Sequence, residues 1–154
     1  SYMNKAKRFL TMLLVAISVF VMAVPAFAAP NTGNTEHSGN VTTSFSRIGN
    51  TRTKTNTTPC YLKITDATYT HAYVAVMTYT GVNNVYANLT ALPGVTSSTC
   101  GYVACRMGLD LSLHNLIMER GYNNAILAFR YPSGNGHIKF LWSPDSTKTY
   151  ISAT

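Results

Sequence analysis

Few side chains in this chain carry chemistry of their own. They are the thiols of Cys60, Cys100 and Cys105, the imidazoles of His37, His71, His114 and His137, and the carboxylates of Glu36, Asp66, Asp110, Glu119 and Asp145. A carboxylate-pair hydrolase needs two carboxyl groups flanking one bond. Glu36 lies in a polar N-terminal stretch, and no two of the other acids share a short motif. Zinc ligands recur at short fixed intervals, and His71, His114 and His137 lack that spacing. No glycine-rich phosphate loop occurs either. The sequence therefore predicts no catalytic residue, no metal ligand and no cofactor, and it reads as a non-enzyme.

The thiols suit a different use. In an oxidising compartment an odd set of three predicts one disulfide and one leftover thiol. A straight strand from Cys100 to Cys105 would point those two side chains to opposite faces, too far apart to bond. The expected bridge therefore joins Cys60 to Cys100 or Cys105, and such a loop would stabilise the fold by about 3–4 kcal/mol in the chain-entropy model. The alternative keeps all three reduced, as small buried hydrophobes. Thr96-Ser97-Ser98-Thr99-Cys100 also resembles the Thr-x-x-Thr-Cys strand end that holds the nucleophile of sortase transpeptidases, with Ser97 where leucine is usual. That resemblance implies Cys100 as nucleophile, His71 as base and Arg106 or Arg130 as oxyanion helper, since a thiolate needs an adjacent base or cation at neutral pH.

The N-terminus indicates where such chemistry would be placed. Met3-Asn4-Lys5-Ala6-Lys7-Arg8 is a basic start, followed by an apolar run from Phe9 to Val24, then Pro25 and Ala26-Phe27-Ala28. Positive charge, apolar stretch and a small-x-small ending are the features of a cleaved signal peptide. The run is shorter than the roughly 20 residues a membrane-spanning helix needs. Residues 3–28 are therefore expected to be removed by cleavage between Ala28 and Ala29, leaving a secreted or envelope-associated protein with no stable membrane span. Without Lys5, Lys7 and Arg8, nine basic residues face five acidic ones. The nine are scattered, with only Arg47, Arg52 and Lys54 approaching a cluster, so no nucleic-acid partner is expected. Mild attraction to an anionic wall or membrane surface is the more modest inference.

The elements that must position these residues are strands. Residues 29–40 are polar and aperiodic and read as a flexible spacer; a second polar stretch runs from Gly49 to Thr58; residues 41–154 form one β-rich domain. Cys60, Leu62 and Ile64 alternate with Tyr61, Lys63 and Thr65, as in a half-buried strand. His71 to Thr80 is apolar on both faces and reads as a central strand. Gly81-Val82-Asn83-Asn84 and Pro93-Gly94 read as turns. Ala125 to Tyr131 and His137 to Trp142 flank Pro132-Ser133-Gly134-Asn135-Gly136, whose Asn-Gly pair predicts a tight hairpin. Leu109 to Arg120 fits both periods: strand to about His114, with a helical turn stopped by Gly121 as the alternative. The sum is all-β, a two-layer antiparallel sandwich of about six to eight strands.

Arg52-Thr53-Lys54-Thr55-Asn56, with the ending Phe140-Leu141-Trp142-Ser143-Pro144-Asp145-Ser146, resembles an uncharacterised family of small secreted β-proteins of Gram-positive bacteria. That resemblance implies fold and secretion and supplies no activity. Physically, Trp142 is expected to close the edge of the core and Asp145, beside Pro144, to make a turn. The favoured function is a non-catalytic binding or structural module at the cell envelope, presenting Tyr-rich faces to wall polymer or an envelope protein. The alternatives are a secreted bacteriocin-like effector and, last, the sortase-like transpeptidase.

Overall fold

Val, Ile, Tyr, Thr and Phe suit a pleated surface, and here they build two layers. A computed structural model describes residues 28–92 and 101–154. Its strands are β1 (Thr35–Val41), β2 (Ser46–Thr53), β3 (Cys60–Ala67), β4 (His71–Tyr79), β5 (Tyr86–Asn88), β6 (Val103–Arg106), β7 (Asp110–Leu113), β8 (Asn124–Arg130), β9 (Gly136–Ser143) and β10 (Ile151–Ser152). Sheet I has the order β1-β9-β3-β7-β10, and sheet II the order β2-β8-β4-β5. In sheet II, β4 pairs with β6 over His71 to Val74 and with β5 over Met77 to Tyr79. All pairings are antiparallel except that of β10 with β7. The fold is the predicted all-β sandwich. Its ten described strands exceed the expected number because two polar segments pair as well, and because β5 and β10 are only three and two residues long.

The core follows from period-2 alternation. Leu62 and Ile64 of β3 and Ile138, Phe140 and Trp142 of β9 point inward from sheet I. Ala72, Val74 and Val76 of β4 and Ala125, Leu127 and Phe129 of β8 meet them from sheet II, all in one buried cluster. The Phe129 and Phe140 rings lie 4.7 Å apart. This facing arrangement corrects the hairpin expectation. β8 and β9 belong to opposite sheets, so Pro132 to Asn135 form an arch across the sandwich. Two strands whose apolar rows must face each other cannot also be hydrogen-bonded neighbours. Gly134 supplies a left-handed residue in the arch, at φ +75°, and Tyr131 is buried with its hydroxyl donating to His137 O at 2.6 Å.

Two further expectations change. Residues 35–40, read from sequence as part of a spacer, form most of β1, paired with β9 from Thr35↔Trp142 to Val41↔Gly136. Polarity misleads there because an edge strand buries little side chain, and most of its residues stay exposed. The polar stretch from Gly49 to Thr58 likewise contains the second half of β2. The ambiguous Leu109 to Arg120 segment takes both forms in turn: β7, then a single turn with Arg120 N donating to Leu116 O, halted at Gly121 with φ +82°. The predicted turn after β4 is present, with Gly81 and Asn84 at positive φ. Residues 3–27 of the proposed leader and the Pro93-Gly94 turn lie outside the described residues.

One glycine is fixed by both conformation and space. Between Ile48 and Arg52 the β2–β8 register shifts, and Gly49 sits in that bulge at φ +85° with the His37 ring 2.6 Å from where a Cβ would be. Gly49→Ala is expected to cost about 1–3 kcal/mol from the left-handed backbone alone, with further loss from displacing His37. Chemical denaturation should show a lowered midpoint at unchanged m-value.

Candidate binding face

The two motifs that carry the family resemblance meet in space. Lys54 follows β2 and Asp145 follows β9, and their side chains, both without exposed surface, form an ion pair at 3.0 Å. Three oxygens match the three ammonium protons: Lys54 Nζ donates to Thr58 O at 2.5 Å, Pro144 O at 2.8 Å and Asp145 Oδ1 at 3.0 Å. Asp145 Oδ2 accepts from Asn31 N at 2.8 Å and Thr55 N at 3.0 Å. Thr55 Oγ1 has one proton and two acceptors in reach, Asp145 Oδ2 at 2.7 Å and Ala29 O at 2.9 Å. Burial by itself would raise the Asp145 pKa, but the donors of Thr55, Asn31 and Lys54 outweigh it and hold the carboxyl below the ordinary value. Asp145 is thus a buried anion rather than the simple turn residue expected.

Arg52 extends this clasp. It lies over the Trp142 ring, 5.4 Å from the centroid. Its Nη atoms donate to Trp142 O, Thr35 Oγ1, Asn31 Oδ1 and Gly33 O at 2.7–3.3 Å. Its hydrogen-bonding capacity is spent on the fold. Trp142 itself is fully buried, as expected of a residue closing the core.

The outer faces of the two sheets differ in charge. The strands of sheet I carry Glu36, Asp66 and Asp110, and each has a basic partner: Lys139 at 3.1 Å, the imidazole of His137 at 3.0 Å and Lys63 at 3.6 Å. The strands of sheet II carry Arg47, Arg52, Arg106 and Arg130 and no carboxylate. Because Ile48, Val74, Val103, Cys105 and Phe129 point into the core, alternation turns Arg47, Tyr73, Tyr102, Arg106 and Arg130 outward.

On that face arginines stack with rings. The Arg130 guanidinium lies 4.6 Å from the Tyr73 centroid, 4.8 Å from Tyr102 and 5.4 Å from Phe45. The Tyr73 and Tyr102 rings are 4.9 Å apart. Arg47, on the edge strand β2, reaches across β8 and β4 to lie 3.8 Å from the Tyr86 centroid on β5. The residues beneath that reach are short: Ala128 pairs with both Arg47 and Ala75. Ala75, Ala128 and Ile126 are buried yet stand outside the core cluster, as a floor roofed by outer-face side chains would be. Phe45 and Tyr102 remain 38% and 42% exposed. Each cation–π contact at an exposed site is worth about 0.5–1 kcal/mol, enough to hold a guanidinium in place.

The other residues singled out from sequence do not assemble into a site. Cys60 and Cys105 are free, buried thiols, which excludes the Cys60–Cys105 bridge; Cys100 lies outside the described residues. They point inward from opposite sheets as part of the core, the packing role a small hydrophobe fills. Burial raises both thiols, Cys60 to about 11 and Cys105 to about 12, far from a reactive thiolate. His71 faces Arg106 across β4–β6, and Arg130 faces Tyr73, so three residues of the sortase-like set share one end of sheet II. His114 bonds Ser152 Oγ at 3.1 Å and His137 bonds Asp66. Among the described residues no three His, Cys, Asp or Glu side chains converge as for a metal. Ala29, just after the expected cleavage point, accepts from Thr55. Sequence alone noted Lys54 in a motif and a loose basic group but missed its burial and the Arg47–Tyr86 contact, because a lysine in a polar stretch gives no signal of burial.

Removing one member of the clasp leaves the other charge buried and unpaired. Lys54→Met or Asp145→Asn is expected to cost about 3 kcal/mol or more, with the double variant losing less than the two single losses combined. Because the folded-state pKa of Asp145 is depressed, its contribution is present above the ordinary aspartate value and lost as pH falls through the folded value. Urea titrations between neutral and strongly acidic pH should therefore show a stability decline at the acid end that Asp145→Asn largely removes.

Residues 24–146 match the family model described as Protein of unknown function (DUF2712). No curated protein and no solved structure matches the chain. With its two motifs joined in the buried Lys54–Asp145 clasp and most of its length matched, the chain belongs to this family of unknown function.

Proposed function

We propose that this protein is a secreted, non-catalytic binding module of the cell envelope, released by cleavage between Ala28 and Ala29, whose contact surface is the outer face of sheet II. The observation that carries the reading is the segregation of charge and rings. Carboxylates of the strands are confined to sheet I, where each has a basic side chain beside it, while sheet II presents arginines held on Phe45, Tyr73, Tyr86 and Tyr102. Exposed rings offer flat apolar area with little conformational freedom to lose, which suits contact with sugar rings or a protein surface. Fixed guanidinium groups add attraction to an anionic envelope. The leader-like order of residues in the N-terminal sequence supports this reading, since such a leader directs export.

Purified protein is expected to cosediment with isolated Gram-positive cell walls. Phe45→Ala combined with Tyr102→Ala should weaken binding about tenfold, the equivalent of 1.4 kcal/mol, with unchanged far-ultraviolet dichroism. Equal sedimentation of the variant would reject sheet II as the surface. Absence of wall binding together with growth inhibition of related strains would replace the module by a bacteriocin-like effector.

A further inference from the structure

The arginines of sheet II divide by how their donors are used. Arg52 gives its Nη protons to four acceptors within the chain. Arg47 and Arg130 stack on rings through their faces, while no described residue takes a hydrogen bond from either. A guanidinium whose face is fixed and whose edge is unspent is a preorganised fork for the oxygens of an anion, losing little freedom on binding.

Register sets a third outward arginine, Arg106 of β6, in reach of the same face. Arg106 stands beside His71 on β4, Arg130 beside Tyr73 two residues on, and Arg47 beside Ala128, itself paired with Ala75 two residues further. Their Cα atoms therefore step diagonally across β6, β4, β8 and β2, but Arg47 carries its guanidinium back over Tyr86 on β5 and Arg130 holds its own over Tyr73 and Tyr102, so these charged groups gather along the β6 and β5 side of β4. Along β4, from His71 opposite Arg106 to Tyr79 opposite Tyr86, strand rise bounds the track they form at about 26 Å. Tyr73 and Tyr102 flank its centre, and none of the sheet's strands carries a carboxylate to repel an anion.

We infer that this arginine track binds a linear phosphodiester polymer of the envelope. Phosphate oxygens meet the edges of Arg106, Arg130 and Arg47, and the intervening polyol or sugar units lie on the rings. A single small anion would engage one fork, whereas an unbranched chain with regularly placed charges engages all three. The inference rests on the envelope-binding reading and names the ligand class for the same face.

Calorimetric titration of the purified protein with poly(glycerol phosphate) tests it, with polyglutamate and oligothymidylate of equal charge as comparison polymers. Binding is expected to poly(glycerol phosphate) in preference to both, weakening as salt is raised. Arg47→Gln, Arg106→Gln and Arg130→Gln should each lower affinity roughly fivefold, in line with one basic residue near an anionic surface. Arg130→Lys, which retains charge but loses the fork, should fall between wild type and Arg130→Gln. Lys139→Gln on sheet I should change nothing. Equal binding to polyglutamate would overturn the phosphodiester assignment, as would a preference for oligothymidylate, which would point to nucleic acid. Wall binding that survives chemical removal of phosphodiester polymers, yet still depends on Phe45 and Tyr102, would overturn this inference and leave the envelope-binding reading standing. Loss of wall binding altogether would end both.

Discussion

The buried ion pair of Lys54 and Asp145 is the constraint around which the two sheets are fastened. Two opposite charges without exposed surface are tolerable only if every proton and lone pair finds a partner. Here the partners are four residues from three places in the chain: Asn31 before β1, Thr55 and Thr58 after β2, and Pro144 after β9. Satisfying the charges therefore fixes the entry to β1, the exit of β2 and the exit of β9 relative to one another. Since β2 belongs to sheet II and β1 and β9 to sheet I, the clasp ties one layer to the other at one end of the sandwich.

Arg52 converts that local constraint into wider order. It bridges the N-terminal segment at Asn31 and Gly33 to the β9 backbone at Trp142, while its face covers the Trp142 ring. The polar residues from Asn31 to Gly33 acquire a defined path with little apolar burial. The β1–β9 pairing then continues from Thr35. Stability at this edge is thus chiefly a matter of hydrogen bonds and one charge pair, in contrast to the centre, where Phe129, Phe140, Leu62 and Leu127 exclude water.

A fold fastened in this way leaves its two outer surfaces free to differ. On sheet I, the acids contact Lys139, Lys63 and His137 across the strands. On sheet II, small residues at Ala75 and Ala128 let long side chains from the outer strands lie flat across the sheet and meet. The aromatic–arginine face exists because the middle of that sheet is low, so both the floor and the rings are needed for it. On that face the stacked cations are fixed and oriented, while the described thiols, Cys60 and Cys105, are buried in the core.

Sequence periodicity by itself determined the all-β class, the strands β3 and β4, the turn at Gly81 to Asn84 and the burial of Trp142, because alternation of apolar residues and positive-φ turn residues act over a few neighbours. What tertiary structure decided lies at long range. The Asn-Gly segment forms an arch because Phe129 and Phe140 must face each other across the core, a demand invisible to the five residues between the strands. Thr35 to Gly39 become a strand through pairing with β9, and Lys54 becomes a buried ion through an aspartate ninety-one positions away. The arginine track likewise joins β2, β6 and β8, which only sheet register brings side by side. Local sequence encodes which residues prefer to be extended; which extended segments become neighbours is settled by matching apolar rows and buried charges across the whole chain.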